Sequence, residues 1–120
     1  MTFTTVLREL VDTVPGSQAG FLMGLDGIPI DACTAPAAQL DPQQAAAEYA
    51  AVLTAARRAA EALDAGQLEE LAVTTERGTL LARTVTPEYV VALALAPGGH
   101  RGRGRFRLRL ASLRLAAELA

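Results

Sequence analysis

The sequence predicts one α+β (broadly α/β) domain: five strands in a single antiparallel or mixed sheet with helices packed on it, in the order α-β-β-α-β-β-β-α. Three observations carry this. Short apolar runs punctuated by Gly- and Pro-containing turns form two blocks, residues 19–33 and 68–96. A helical pattern of about 24 residues, with strong start and stop signals, separates the blocks. Amphipathic helical segments stand before the first block and after the second. The 120 residues fit a single domain, 1–120, with no repeat or linker.

Residues Thr5–Val14 read as the first helix, with Phe3, Val6, Leu7, Leu10, Val11 and Val14 at i, i+3, i+4 spacing and Arg8, Glu9 and Asp12 opposite. Pro15-Gly16 ends it. Ala19–Gly24 is an apolar strand, Asp26-Gly27 a type I′ hairpin signal, and Ile28–Cys33 the returning strand. Pro29 lacks an N–H and places that strand at an edge or bulge. Thr34–Leu40 has no period and reads as a loop. Asp41-Pro42 begins the long helix, Asp as N-cap, Pro at N1 and Gln44 at N3, and the helix runs to Ala65 with Gly66 as its C′ residue. Strands follow at Leu68–Thr75, Thr79–Val85 and Tyr89–Ala96, the last nearly all apolar as a central strand requires. Pro97–Gly104 reads as a Gly/Arg-rich loop, and Arg105–Ala120 as a closing helix with Phe106, Leu110, Leu113 and Ala117 on one face.

Composition narrows the function. The chain has one Cys, one His, no Lys and no Asn. Cys33 and His100 cannot by themselves make a disulfide or a zinc site, and lysine chemistry is excluded. The toolkit suits a binding module better than an enzyme. With a net charge of −2 and a pI near 5.3, nucleic acid is not the expected partner. The charge is nevertheless polarised: residues 100–120 hold six arginines against Glu118, net +5, and the rest five arginines against twelve acids, net −7. No segment reads as a signal peptide, and none is long enough to insert in a membrane. A lone Cys fits a reducing cytoplasm, and arginine-only cations with abundant Ala fit a GC-rich, bacterial coding sequence.

The long helix carries more apolar arc than one sheet needs. With Ala51 at zero, Val52, Leu63, Ala56, Tyr49, Ala60 and Leu53 fall between about 100° and 200°, and this stripe is expected to face the sheet. Ala51, Ala62, Ala55 and Ala59 form a second stripe at about 0° to 80°, while Asp64, Arg57, Glu61, Thr54 and Arg58 occupy about 220° to 340°. The small-residue stripe is expected to be a seam for a second copy of the chain, against the plainer alternative that Ala is a good surface helix former.

The remaining candidates are weak as chemistry. Gly99-x4-Gly104 has P-loop spacing, but Arg105 and Phe106 stand where Lys and Ser/Thr are required. It reads as a solvated connection, with Arg101, Arg103 and Arg105 available to an anion or partner. Arg57, Arg58 and Glu61 could meet an acidic partner, or Arg57 could simply pair with Glu61. His100, Cys33, Asp26 and Asp31 each have a simpler structural explanation.

Four stretches give the chain a resemblance to the Roadblock/LC7 domain family over residues 4–119: Val14-Pro15-Gly16; Met23-Gly24-Leu25-Asp26-Gly27-Ile28; the Glu48–Leu63 helix leading to Ala65-Gly66 and Leu68-Glu69-Glu70-Leu71; and Gly102-Arg103-Gly104-Arg105 running into Leu108-Arg109-Leu110. The resemblance implies a five-stranded, mostly antiparallel sheet with the long helix on one face and the terminal helices on the other. It implies a homodimer joined by the third strands and the long helices, here Leu68, Leu71 and Val73 with Ala51, Ala55, Ala59 and Ala62. It also implies binding and regulation of a Ras-like small GTPase, as an activator without an arginine finger or as a scaffold. It brings no catalytic residue, cofactor or metal ligand.

The expected function is therefore a non-enzymatic, homodimeric GTPase regulator that touches its partner through Arg57, Arg58 and Glu61. The alternatives are a structural adaptor that heterodimerises or binds another protein, and an anion or nucleotide binder at Arg101, Arg103 and Arg105.

Overall fold

A computed structural model describes residues 2–120. Its elements are α1 (Phe3–Thr13), β1 (Ser17–Gly24), β2 (Pro29–Thr34), α2 (Pro42–Ala62), β3 (Glu70–Thr75), β4 (Gly78–Thr86), β5 (Tyr89–Leu95) and α3 (Arg101–Leu119). The strands form one sheet in the order β2-β1-β5-β4-β3, and every neighbouring pair is antiparallel. The apolar run of β5 lies at the centre, as its composition requires.

The pleat sends alternate residues to two cores. Leu22, Leu81, Val91, Leu93 and Leu95 meet α1 and α3, through Val6, Leu7, Leu10, Leu108 and Leu115. Phe21, Met23, Leu80, Ala82, Val90, Ala92 and Ala94 meet α2, through Ala46, Ala50 and Leu53. The sheet is thus sandwiched as the resemblance implies. Cys33 is buried in the first core, and that burial pushes its thiol pKa up.

Local chemistry explains the boundaries. Asp41 caps α2 by accepting from Gln43 N at 3.0 Å, with Pro42 opening the helix. The helix stops at Ala62, three residues before the expected end. Asp64, not Gly66, is the C′ residue and is left-handed there (φ 53°), while Gly66 has positive φ (86°) two residues further on. Asp64 N donates to Glu61 O at 3.1 Å and Ala65 N to Ala60 O at 2.8 Å, a Schellman closure. The β1–β2 connection falls at the expected residues but is not type I′, since Gly27 has positive φ and Asp26 does not. Asp26 Oδ1 instead accepts from Ile28 N at 3.1 Å, and Gly27 N donates to Gly24 O at 3.0 Å. β3 begins at Glu70, so Leu68 lies just outside the strand.

Two further expectations are corrected around α3. The Gly/Arg-rich connection is short, because α3 starts at Arg101 rather than Arg105. His100 is its N-cap: Nδ1 accepts from Arg103 N at 3.1 Å, and its carbonyl accepts from Gly104 N at 2.9 Å. Phe106, Leu110 and Leu113 do share a face, but it is the solvent face. The inner face is Gly104, Leu108, Ala111, Ser112 and Leu115. Gly104 allows this close approach: a Cβ there would lie 3.1 Å from Leu81 Cδ1 and 3.4 Å from both Leu93 Cδ2 and Leu95 Cδ1.

Candidate functional site

The two edges of the sheet differ. β2 carries Pro29 and pairs with β1 through a register shift between Leu22 and Met23, features that blunt an edge. β3, Glu-Leu-Ala-Val-Thr-Thr, is a proline-free edge that pairs only with β4, in unbroken register from Glu70↔Arg83 to Thr75↔Gly78. Its outer backbone groups have no strand beside them. Leu68 and Leu71 pack partly buried against the α2-side core, and Val73 shares a shallow pocket with Tyr49 of α2.

On that side of the sheet, α2 buries Ala46, Ala50 and Leu53 and leaves Ala51, Ala55, Ala59 and Ala62 exposed. The second stripe read from the sequence is therefore free of the chain's own core. Val52 and Leu63 were expected to face the sheet, yet they are 41% and 79% exposed. The inward arc is centred on Leu53, and these two residues lie at its outer margin. They widen the exposed apolar face beside the alanines. An open strand edge and an apolar helix face together offer main-chain hydrogen bonds and apolar area, the ingredients of strand-addition recognition.

The charged candidates separate. Arg57 does not pair with Glu61: its Nη1 donates to Pro87 O at 2.9 Å, tying α2 to the β4–β5 turn. Arg57 and Glu61 line a depression of about 360 Å³ with Asp64, Leu68, Thr84 and Pro87. Arg58 is exposed on the same helix. Arg105 grips Glu70 with two hydrogen bonds, at 3.1 and 2.6 Å, and Arg101 Nη1 donates to Thr74 Oγ1 at 3.3 Å. Arg103 is exposed. Two of the three arginines assigned to an anion thus brace β3 on the sheet face away from α2. Their partners Glu70 and Thr74 carry no local sequence signal. Beside them, the Glu70 carboxyl is held below its ordinary pKa, first by the Arg105 hydrogen bond. Among the described residues no group of three or more His, Cys, Asp or Glu side chains could hold a metal ion, and no helix is long and apolar enough to cross a membrane.

The Roadblock/LC7 domain model matches residues 4–94. The chain belongs to the Roadblock/LC7 family. Among solved structures it is 39% identical to MglC from Myxococcus xanthus, covering 98% of this chain and 99% of that one, with a TM-score of 0.73. The gliding protein MglB from Thermus thermophilus is 21% identical, with 98% and 90% coverage and a TM-score of 0.87. A Roadblock/LC7 domain from Streptomyces avermitilis is 17% identical, with 96% and 95% coverage and a TM-score of 0.85. The last two share the fold. A comparison with curated proteins gives no match.

Proposed function

We propose that this Roadblock/LC7 chain is a non-enzymatic homodimeric module that binds and regulates a Ras-like small GTPase. The observation that carries the dimer is the open, proline-free β3 edge on the same protein as an exposed apolar α2 face. Two chains related by a two-fold axis would pair their β3 edges, extending the sheet, and bring together Ala51, Ala55, Ala59 and Ala62. Leu68, Leu71 and Val73 would complete the burial. Small side chains permit close helix approach, and a two-fold interface needs such a self-complementary patch. The GTPase assignment rests on family membership and on the 39% identity to MglC.

The GTPase-facing surface in this reading is the charged flank of α2. Arg57, already fixed to Pro87 O, is preorganised, and Arg58 and Glu61 add exposed charges on the same helix. The test is calorimetric titration of the full chain with the Ras-like GTPase from its own genome, loaded with GDP or with a non-hydrolysable GTP analogue. Binding of one nucleotide state, weakened in Arg57→Ala/Arg58→Glu, is expected. No binding of either state at about 50 μM contradicts the reading. Binding without a change in the hydrolysis rate would assign a scaffold role within it.

A further inference from the structure

The solvent face of α3 is unused by the fold and lies on the opposite side of the sheet from the α2 surface. Phe106 is 59% exposed, Leu110 39% and Leu113 64%. With Ala117 they follow i, i+4, i+7, i+11, a 3.5-residue repeat that makes a straight seam along the helix. The seam spans an arc of only about 60°, narrower than a core-facing stripe. It borders a groove of about 520 Å³ between α1 and α3, with Val6, Leu10 and Ala111 among its lining residues.

The charges beside this seam are mostly arginines; the acids near it are Glu9 of α1, across the groove, and Glu118 at the C-terminal end of α3. Arg109 flanks it on one side and Arg107 and Arg114 on the other, while Arg103, seven residues before Leu110, continues the seam at its N-terminal end. Arg114 is ion-paired with Glu9 across the groove; Arg103, Arg107 and Arg109 are exposed. In heptad terms Arg107, Arg109 and Arg114 occupy the positions that choose a coiled-coil partner. A second copy would set arginine against arginine: Arg109 against Arg114 if parallel, Arg107 against Arg114 if antiparallel. A membrane surface fits poorly too, because an interfacial helix needs a broad apolar face and this seam is narrow, with Glu9 at its rim.

The geometry points to a docking site for an amphipathic helix of another protein, one with apolar residues on its seam and Glu or Asp beside them. That partner would lie along Phe106, Leu110 and Leu113 and place its carboxylates on Arg103, Arg107 and Arg109. The site does not depend on the α2–β3 dimer or on GTPase binding.

The test uses the full chain and a labelled synthetic helix of about 21 residues, three heptads, with Leu on its seam and Glu on both flanks. Its counterpart carries Lys in place of every Glu. By fluorescence anisotropy the acidic helix is expected to bind at least about tenfold more tightly than the basic one. Arg107→Glu/Arg109→Glu should invert that preference, and Leu113→Asp should abolish binding, both with unchanged circular dichroism. Three results would each overturn the proposal: no binding of the acidic helix at about 100 μM, equal binding of the two helices, or tight binding to phosphatidylcholine vesicles containing phosphatidylserine in place of the peptide. A change in the chain's own oligomeric mass in Leu113→Asp would instead assign the face to a second copy and overturn it as well.

Discussion

Arg105 and Glu70 form a two-pronged ion pair, Nε to Oε1 at 3.1 Å and Nη2 to Oε2 at 2.6 Å, that fastens the start of α3 to the first residue of the edge strand β3. With Arg101 on Thr74 it holds β3 at two points along its length. A strand with a neighbour on one side only is thereby kept in shape on the edge assigned here to dimerisation. A preformed edge has less conformational entropy to lose when a partner strand arrives.

This pair predicts a pH dependence with a definite sign. The Glu70 carboxyl is held below its ordinary pKa in the folded chain, mainly by the Arg105 hydrogen bond. Its contribution to stability is therefore present above the ordinary glutamate value of about 4.3 and is lost as pH falls from there through the lowered folded value. Arg105→Ala should flatten the acid limb of the stability–pH curve and leave its slope near neutrality unchanged, read by urea unfolding at stepped pH. Identical acid limbs in wild type and variant would show that the pair is too solvated to matter.

His100 is assigned here as a structural cap and not as a chemical group. His100→Ala should cost about 1 kcal/mol of unfolding free energy, the usual value of an N-cap side chain. His100→Asn should retain most of it, because an amide oxygen can accept the Arg103 N–H in the same place. Equal loss in both variants, measured by urea titration, would contradict the capping role.

Gly104 predicts a packing penalty. Its missing Cβ leaves room for Leu81, Leu93 and Leu95 against α3. Gly104→Val should destabilise the fold by about 1–3 kcal/mol through overpacking, despite replacing a poor helix former. A thermal melt with an unchanged or raised midpoint would show that α3 can simply lift away.

How much of this was legible in the sequence follows from how local each determinant is. Asp41-Pro42, the β5 run and the edge position of Pro29 each depend on the residue itself or its neighbours, and the structure agrees with all three. The Asp26-Gly27 turn falls where the sequence places it, but its type differs because Asp26 has a side-chain route to Ile28 N that avoids positive φ. The start of α3 is hidden by Gly102 and Gly104, which look like helix breakers until His100 caps them and the sheet packs against Gly104. The face of α3 is ambiguous because it has two apolar stripes. Burial selects Leu108, Ala111 and Leu115, whose company includes the glycine that lets the helix approach, and leaves the bulkier Phe106 outside.

For the candidate site, the free alanine stripe of α2 is readable from periodicity alone. The flanking Val52 and Leu63 are not, since which side of a wide apolar arc turns inward is decided by the sheet. Nor are the roles of Arg57 and Arg105, which meet Pro87 and Glu70 at separations of 30 and 35 residues. No local pattern reports such distant partners.

The central claim, that the α2 stripe and the β3 edge join two copies of this chain, is tested most directly by the solution mass of the full chain beside Ala55→Glu/Ala59→Glu. Both alanines are exposed, so the variant should fold. Carboxylates facing their symmetry copies across the seam would cost several kcal/mol, on the order of a hundredfold or more in Kd. Sedimentation velocity is expected to give two chains of 12.5 kDa for the wild type and one for the variant, with matching circular dichroism. A monomeric wild type, or a variant that keeps the dimer mass, would contradict the account.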